Sequence, residues 1–300
     1  MYEQISRNKW KSAALVVFFM AFIFLLTWFF EYLTGWGKGG LVLAVAVAMG
    51  MAAVGYYASD KIVLTISKAR PVTKDEFPYL YNVVEGLAIA AGVPAPKCYV
   101  IEDTAPNAFA AGRKPETASI CVTTGILEKL NRVELEGVIA HEMSHIKNYD
   151  VRLQTVVVVM AGVVALLSDW MLRSFWWGGG RRRGRGKSGS GGAEGVLVLV
   201  GLALAVLSPF IATIIQLAVS RKREFLADAN AAMLTRYPAG LASALRKISA
   251  DTEPLEAANK ATAHLYIVNP LKDIKGGGGI NRLFSTHPPI EERIAALEKM

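Results

Sequence analysis

The sequence predicts an α-helical membrane protein with about four hydrophobic segments and a mainly helical, α+β soluble part. Three observations carry that class. The 300-residue chain is 53% hydrophobic, with positive mean hydropathy, which is more apolar than a soluble domain of this length usually is. Ser12 to Phe30 is a run without a charge. As helix it spans roughly 28 Å, the thickness of a bilayer's hydrocarbon core. Helical and strand-like patterns then fill the blocks between such runs.

Arg7, Lys9 and Lys11 precede the first run and imitate a signal peptide. The apolar stretch is too long for that, and Trp28 to Tyr32 offers no small-residue cleavage site, so an uncleaved anchor is expected. Leu41 to Ala58 is again uncharged, and the short link from Glu31 to Gly40 makes residues 1–60 a transmembrane hairpin. Residues 61–150 form a first soluble block, with a helix near Glu76 to Ala91 and strand-like runs at Cys98 to Ile101 and Ser119 to Thr123. A further helix starts at Asn131, where Glu134 three residues on completes the pattern of a reciprocal N-cap.

Residues 151–220 read as a second hydrophobic hairpin. Thr155 to Ser168 is short, and suits a brief span, a re-entrant segment or a buried helix. Gly195 to Ser220 is long enough to span with tilt, and Pro209 is placed to kink it. Between them, Gly178 to Gly195 is rich in glycine and arginine. Residues 221–300 are mostly helical, with Leu241, Leu245 and Ile248 in one stripe and Gly276 to Gly279 marking a loop.

The chemistry is concentrated in His141-Glu142-Met143-Ser144-His145. On a helix, histidines four apart share one face and reach one zinc ion, while the glutamate beside that face accepts a proton from a water whose pKa the metal lowers to about 7. That pairing hydrolyses peptide bonds. Two of the chain's four histidines lie here, and its only cysteines, Cys98 and Cys121, have no partner at metal-binding spacing. Glu224 and Asp228, four apart on a helix, supply two carboxylates. One can ligate the metal while the other accepts the second ring N–H of a ligand histidine. A surface lattice of ion pairs in Ser220 to Asp228 is the alternative.

The net charge is +8, and Arg181, Arg182, Arg183, Arg185 and Lys187 contribute five of it. The segment lacks interleaved aromatics, so nucleic acid is not expected as a partner. Membrane lipid is, since each basic residue near anionic headgroups adds about 1 kcal/mol of attraction.

Several motifs together resemble the HtpX family of integral-membrane zinc metalloproteases, relatives of the CAAX prenyl endopeptidases. They are the two N-terminal spans, Pro106 to Gly112, His141 to His145 followed by Lys147 to Asp150, Ser220 to Asp228, and Ser285 to Arg293. The resemblance implies a zincin-like, gluzincin-type catalytic domain. It implies one Zn2+ per chain held by His141, His145 and Glu224, with Glu142 as catalytic base and Asp228 behind a ligand histidine. Asn107, Ala108, Phe109 and Ala110 resemble an edge segment on which substrate is laid as an extended strand. His287 and Arg293 resemble a catalytic pair that stabilises the oxyanion, although Thr286 to Pro289 would equally suit a helix cap.

The expected activity is cleavage of misfolded or damaged membrane proteins in a prokaryotic plasma membrane under stress. Self-cleavage is compatible with it. A zinc-stabilised scaffold or chaperone would not need Glu142, and a prenyl-peptide protease would need a chamber that four segments are too few to build. Positive charge at Arg7, Lys9, Lys11, Lys61, Lys68 and Arg70 puts both ends of the first hairpin, and so the active site, in the cytoplasm. Two later crossings would carry the basic loop outside, against the same bias.

Overall fold

The computed structural model describes residues 2–34 (side chains at 5–21, 24, 25 and 28), 42, 46, 50, 53, 56–157, 160, 221–258, 262–270 and 288–300. Most of Leu41 to Ala58 and of Thr155 to Ser168, the basic loop, Gly195 to Ser220, Gly276 to Gly279 and His287 lie outside the described residues.

Helix α1 (Tyr2–Thr34) contains the whole uncharged run from Ser12 to Phe30. Counting described side chains, no helix is long and apolar enough to cross a membrane. Helix α2 (Ser59–Ile66) leads into strand β1 (Arg70–Pro71), and α3 (Pro78–Ala91) follows. Proline at the first position of α3 has a preset φ and no N–H to leave unpaired, so the helix starts two residues later than its apolar pattern suggests. It ends at Gly92, whose φ of +68° is the left-handed turn that glycine adopts without strain.

Strands β2 (Lys97–Ile101), β3 (Ala108–Ala111) and β4 (Ser119–Thr123) complete a sheet of order β1-β2-β4-β3, with β2 and β4 parallel and both outer strands antiparallel. Residue patterning marks only the two central strands. β1 is two residues long with a proline at the sheet edge, and β3 is Ala-Phe-Ala-Ala, a composition depleted in strands. The described residues after α1 therefore form a mixed α/β unit, with more sheet than the sequence advertises.

Five described α-helices follow β4. Thr123 caps α4 (Thr124–Lys129), accepting from the Ile126 N–H. Helix α5 (Arg132–Lys147) carries both motif histidines. Its expected cap is present: the Asn131 side chain accepts from the Glu134 N–H at 3.1 Å, and Glu134 accepts from the Asn131 N–H at 2.8 Å. After the second hydrophobic region come α6 (Arg221–Thr235), α7 (Pro238–Ala250) and, at the C-terminus, α8 (Ile290–Leu297).

Strand alternation sorts the core into two layers. Cys98, Val100, Ala108, Ala110, Ile120 and Val122 face the helices, packing with Leu80, Val84, Leu135, Ile139, Leu241 and Leu245. Ile101, Phe109, Ala111 and Cys121 face the other way, against Val63 and Leu64 of α2 and Leu265 and Tyr266. Helices α5 and α7 approach closely at glycine: a Cβ on Gly137 would lie 2.7 Å from the Leu241 backbone nitrogen, and one on Gly240 would lie 2.6 Å from the Val133 carbonyl. This contact, with α6 on the same side, brings residues 221–250 against the motif helix.

Candidate metal centre

His141 and His145 project from α5 onto α6, where Glu224 meets them. The two Nε2 atoms lie 3.1 Å apart, and each is 3.6 Å from a carboxylate oxygen of Glu224. Ligands at 2.0 to 2.2 Å around one tetrahedral ion are spaced by roughly 3.4 Å. All three side chains are buried.

The far side of each imidazole is held by an aspartate. His141 Nδ1 lies 2.9 Å from Asp228 Oδ1, and His145 Nδ1 lies 3.1 Å from Asp150 Oδ2. A ring that donates through Nδ1 carries a lone pair on Nε2. Two such lone pairs and a carboxylate therefore face one another in a buried space, an arrangement that needs a positive charge at its centre. Burial lowers the pKa of His141, but hydrogen bonds to Asp228 and Glu224 outweigh it and push the value up to about 9. The donor set of two imidazoles and one carboxylate fits zinc with a position left for substrate.

Glu142 lies one residue along, with 2% of its surface exposed. Burial raises its carboxyl above the usual range, while His141, His145 and a hydrogen bond from the Ala110 backbone pull it down. It is the better proton acceptor for the net rise.

Ala110 belongs to β3, whose inner side pairs with β4. On the outer side the Ala108 carbonyl accepts from the Ile267 N–H at 2.9 Å, and Phe109 packs edge-on to Tyr266 with ring centroids 5.0 Å apart. Asn107 is turned away from the cluster. Its amide donates to the Val268 carbonyl at 2.9 Å and its side-chain oxygen accepts from the Ala108 N–H, so it ties down the 262–270 segment.

Arg293 is also placed differently from an oxyanion donor. It is fully buried, with Nε and Nη2 on the two oxygens of Asp228 at 2.8 and 2.7 Å and Nη1 on the Ile267 carbonyl at 2.9 Å. Two of its nitrogens hold Asp228, while Nη1 also stands 3.9 Å from a carboxylate oxygen of Glu224. Asp150 received no role from residue spacing, although it closes the Lys147 to Asp150 motif five residues after His145. Asn8, which reaches Asp150 at 2.7 Å, was missed altogether. The available signal was that Asn8 and Ser12, two uncharged polar residues four apart, share one face of α1.

A model of peptidase family M48 matches residues 74–300. The chain belongs to that family. It is accordingly a metalloprotease, a hydrolase of peptide bonds. Relatives called Protease HtpX homolog match along the full chain. The protein of Dictyoglomus thermophilum is 51% identical over 100% of this chain and 94% of its own length. Those of Thermoanaerobacter pseudethanolicus and Listeria monocytogenes serotype 4b are 46% and 43% identical, covering 100% of this chain and 98% and 100% of their own. The crystal structure of S. mikatae Ste24p aligns at 20% identity and a TM-score of 0.49 over 99% of this chain and 67% of that one, a likeness on which nothing here rests.

Proposed function

We propose that this M48 peptidase is a multi-pass enzyme of a prokaryotic plasma membrane that holds one zinc ion and cleaves misfolded or damaged membrane proteins from the cytoplasmic side. The observation that carries the zinc assignment is the triangle of His141 Nε2, His145 Nε2 and Glu224, three buried lone-pair donors aimed at one point. Bound there, zinc would act as a Lewis acid on water and on the scissile carbonyl.

The protein's own groups do the rest. Glu142 accepts the proton of the attacking water and returns it to the leaving amine, for which burial has raised its affinity. Asp228 and Asp150 keep both imidazoles in the tautomer that presents Nε2. Arg293 fixes Asp228. An extended substrate segment is laid along the outer edge of β3 beyond Ala108, whose N–H and carbonyl are already taken by Asn107 and Ile267, so that Phe109 and Ala110 line it while Asn107 braces the end of that edge. His287 is the remaining candidate for oxyanion stabilisation.

The membrane reading is supported by α1, in which Val17, Phe18, Phe24, Leu25 and Trp28 are exposed along an uncharged stretch. Such a patch is stable against lipid and poorly tolerated in water. Residues 1–60 and 151–220 are then the membrane hairpins, and 61–150 and 221–300 the two cytoplasmic blocks. The test is cleavage of an unfolded model substrate by detergent-purified protein, stripped of metal and reloaded. Activity lost on stripping and regained with one equivalent of zinc is expected. Cleavage that survives complete metal removal would overturn the zinc assignment, and a folded, zinc-loaded protein that never cleaves would favour a scaffold.

A further inference from the structure

Each ligand histidine leans on an aspartate, and each aspartate is itself gripped. Asp228 is gripped on both oxygens by Arg293 of α8. Asp150 gives Oδ2 to His145, and its Oδ1 accepts from Asn8 Nδ2 of α1 at 2.7 Å. We infer that Asn8 is a positioning residue of the metal centre, and that through Asp150 the N-terminal helix sets the aim of His145. The inference rests on the metal reading above and extends the site to an element that precedes the family match at residue 74.

The geometry leaves the amide little choice. Asn8 is 2% exposed, and its Nδ2 also donates to the Asn148 carbonyl at 2.9 Å. Two acceptors converge on one terminal atom of the amide, and only the nitrogen can serve both. Arg223 Nε also faces Oδ1 but stands 3.6 Å away, beyond good hydrogen-bond distance. A carboxylate held at one oxygen can turn about its terminal torsion, whereas one held at both has the direction of each oxygen fixed. Asn8 therefore converts Asp150 from a loose partner of His145 into a directed one. Ser12, one turn on, is buried on the same face, and its hydroxyl donates back to the Asn8 carbonyl at 2.9 Å. The neighbouring Lys9 docks separately, with its ammonium 4.3 Å from the centre of the Tyr149 ring.

That separate contact supplies the control. The full-length protein, loaded with one zinc in detergent, is challenged with excess chelator and zinc release is followed by an indicator dye. Removing the direct partner of a ligand typically costs 10- to 100-fold in metal affinity, and Asn8 stands one step behind that partner, so Asn8→Ala should release zinc up to about tenfold faster than wild type. Asn8→Asp keeps the size but sets a second carboxylate against Asp150, and should release faster still. Lys9→Ala loosens the same helix without touching Asp150 and should release at the wild-type rate. Variants are compared at matched helix content by circular dichroism. Wild-type release from both Asn8 variants would overturn the inference. So would a Lys9→Ala rate as fast as that of Asn8→Ala, since α1 would then act only as a general support. A wild-type protein that takes up no zinc would overturn the metal reading itself, which separates the two failures.

Discussion

At the scale of single residues, the site divides its work between side chains that would touch the metal or substrate and side chains that hold those in place. Arg293 belongs to the second group, because its guanidinium spends Nε and Nη2 on Asp228. Arg293→Lys keeps the charge but loses the two-pronged grip, so zinc retention should fall about tenfold. Zinc-binding titrations check this, and wild-type affinity would return Arg293 to a direct catalytic role. His287→Ala should show the opposite pattern, with unchanged zinc content and turnover lower by about a hundred- to a thousand-fold. Kinetics on the fully loaded variant decide it. The ligand set was legible because spacing on a helix is local information. Asn8 and Asp150 meet across 142 residues, a contact no spacing rule contains.

At the scale of elements, α5 explains why the motif holds its shape. Its N-terminus is closed by Asn131 and Glu134, and Lys247 of α7 reaches Glu134 at 2.7 Å. Burial would raise the Glu134 carboxyl, yet Lys247, Ser243 and the Asn131 N–H outweigh it and hold it below its usual range. A carboxylate lowered in the folded state stabilises fully above its unfolded pKa of about 4.3 and loses that contribution as pH falls through the folded value. Glu134→Gln should therefore flatten the loss of stability on acidification below about pH 5, measured by thermal melts across pH. An unchanged profile would remove Glu134 from the acid response. Gly137→Ala should destabilise by about 1–3 kcal/mol, since the added methyl meets the α7 backbone rather than a side chain that could yield. The cap was legible because Asn131 and Glu134 are three apart. β3 could not be read from patterning, because four small or mixed residues carry no alternation and only pairing with β4 makes them a strand.

At the scale of the whole molecule, a metal held by His141, His145 and Glu224 would tie residues 61–150 and 221–300 together, which puts both on one side of any membrane that α1 enters. A cysteine replacing Lys247 should accordingly be labelled only from the cytoplasmic face. A cysteine replacing Ser190 in the basic loop should be labelled from outside, because Gly195 to Ser220 is too apolar to be stable in water. Labelling at 190 only after permeabilisation would mean that the later pair enters the membrane without crossing, and the zinc site would survive that result. The central claim is that one zinc sits between α5 and α6 with Glu142 as its base. The most direct measurement is zinc content and peptide cleavage in parallel on wild type, Glu142→Ala and Glu224→Ala. Glu142→Ala should keep one zinc per chain and lose cleavage, while Glu224→Ala should lose zinc and cleavage together. Cleavage by zinc-loaded Glu142→Ala, or undiminished zinc in Glu224→Ala, would contradict the account.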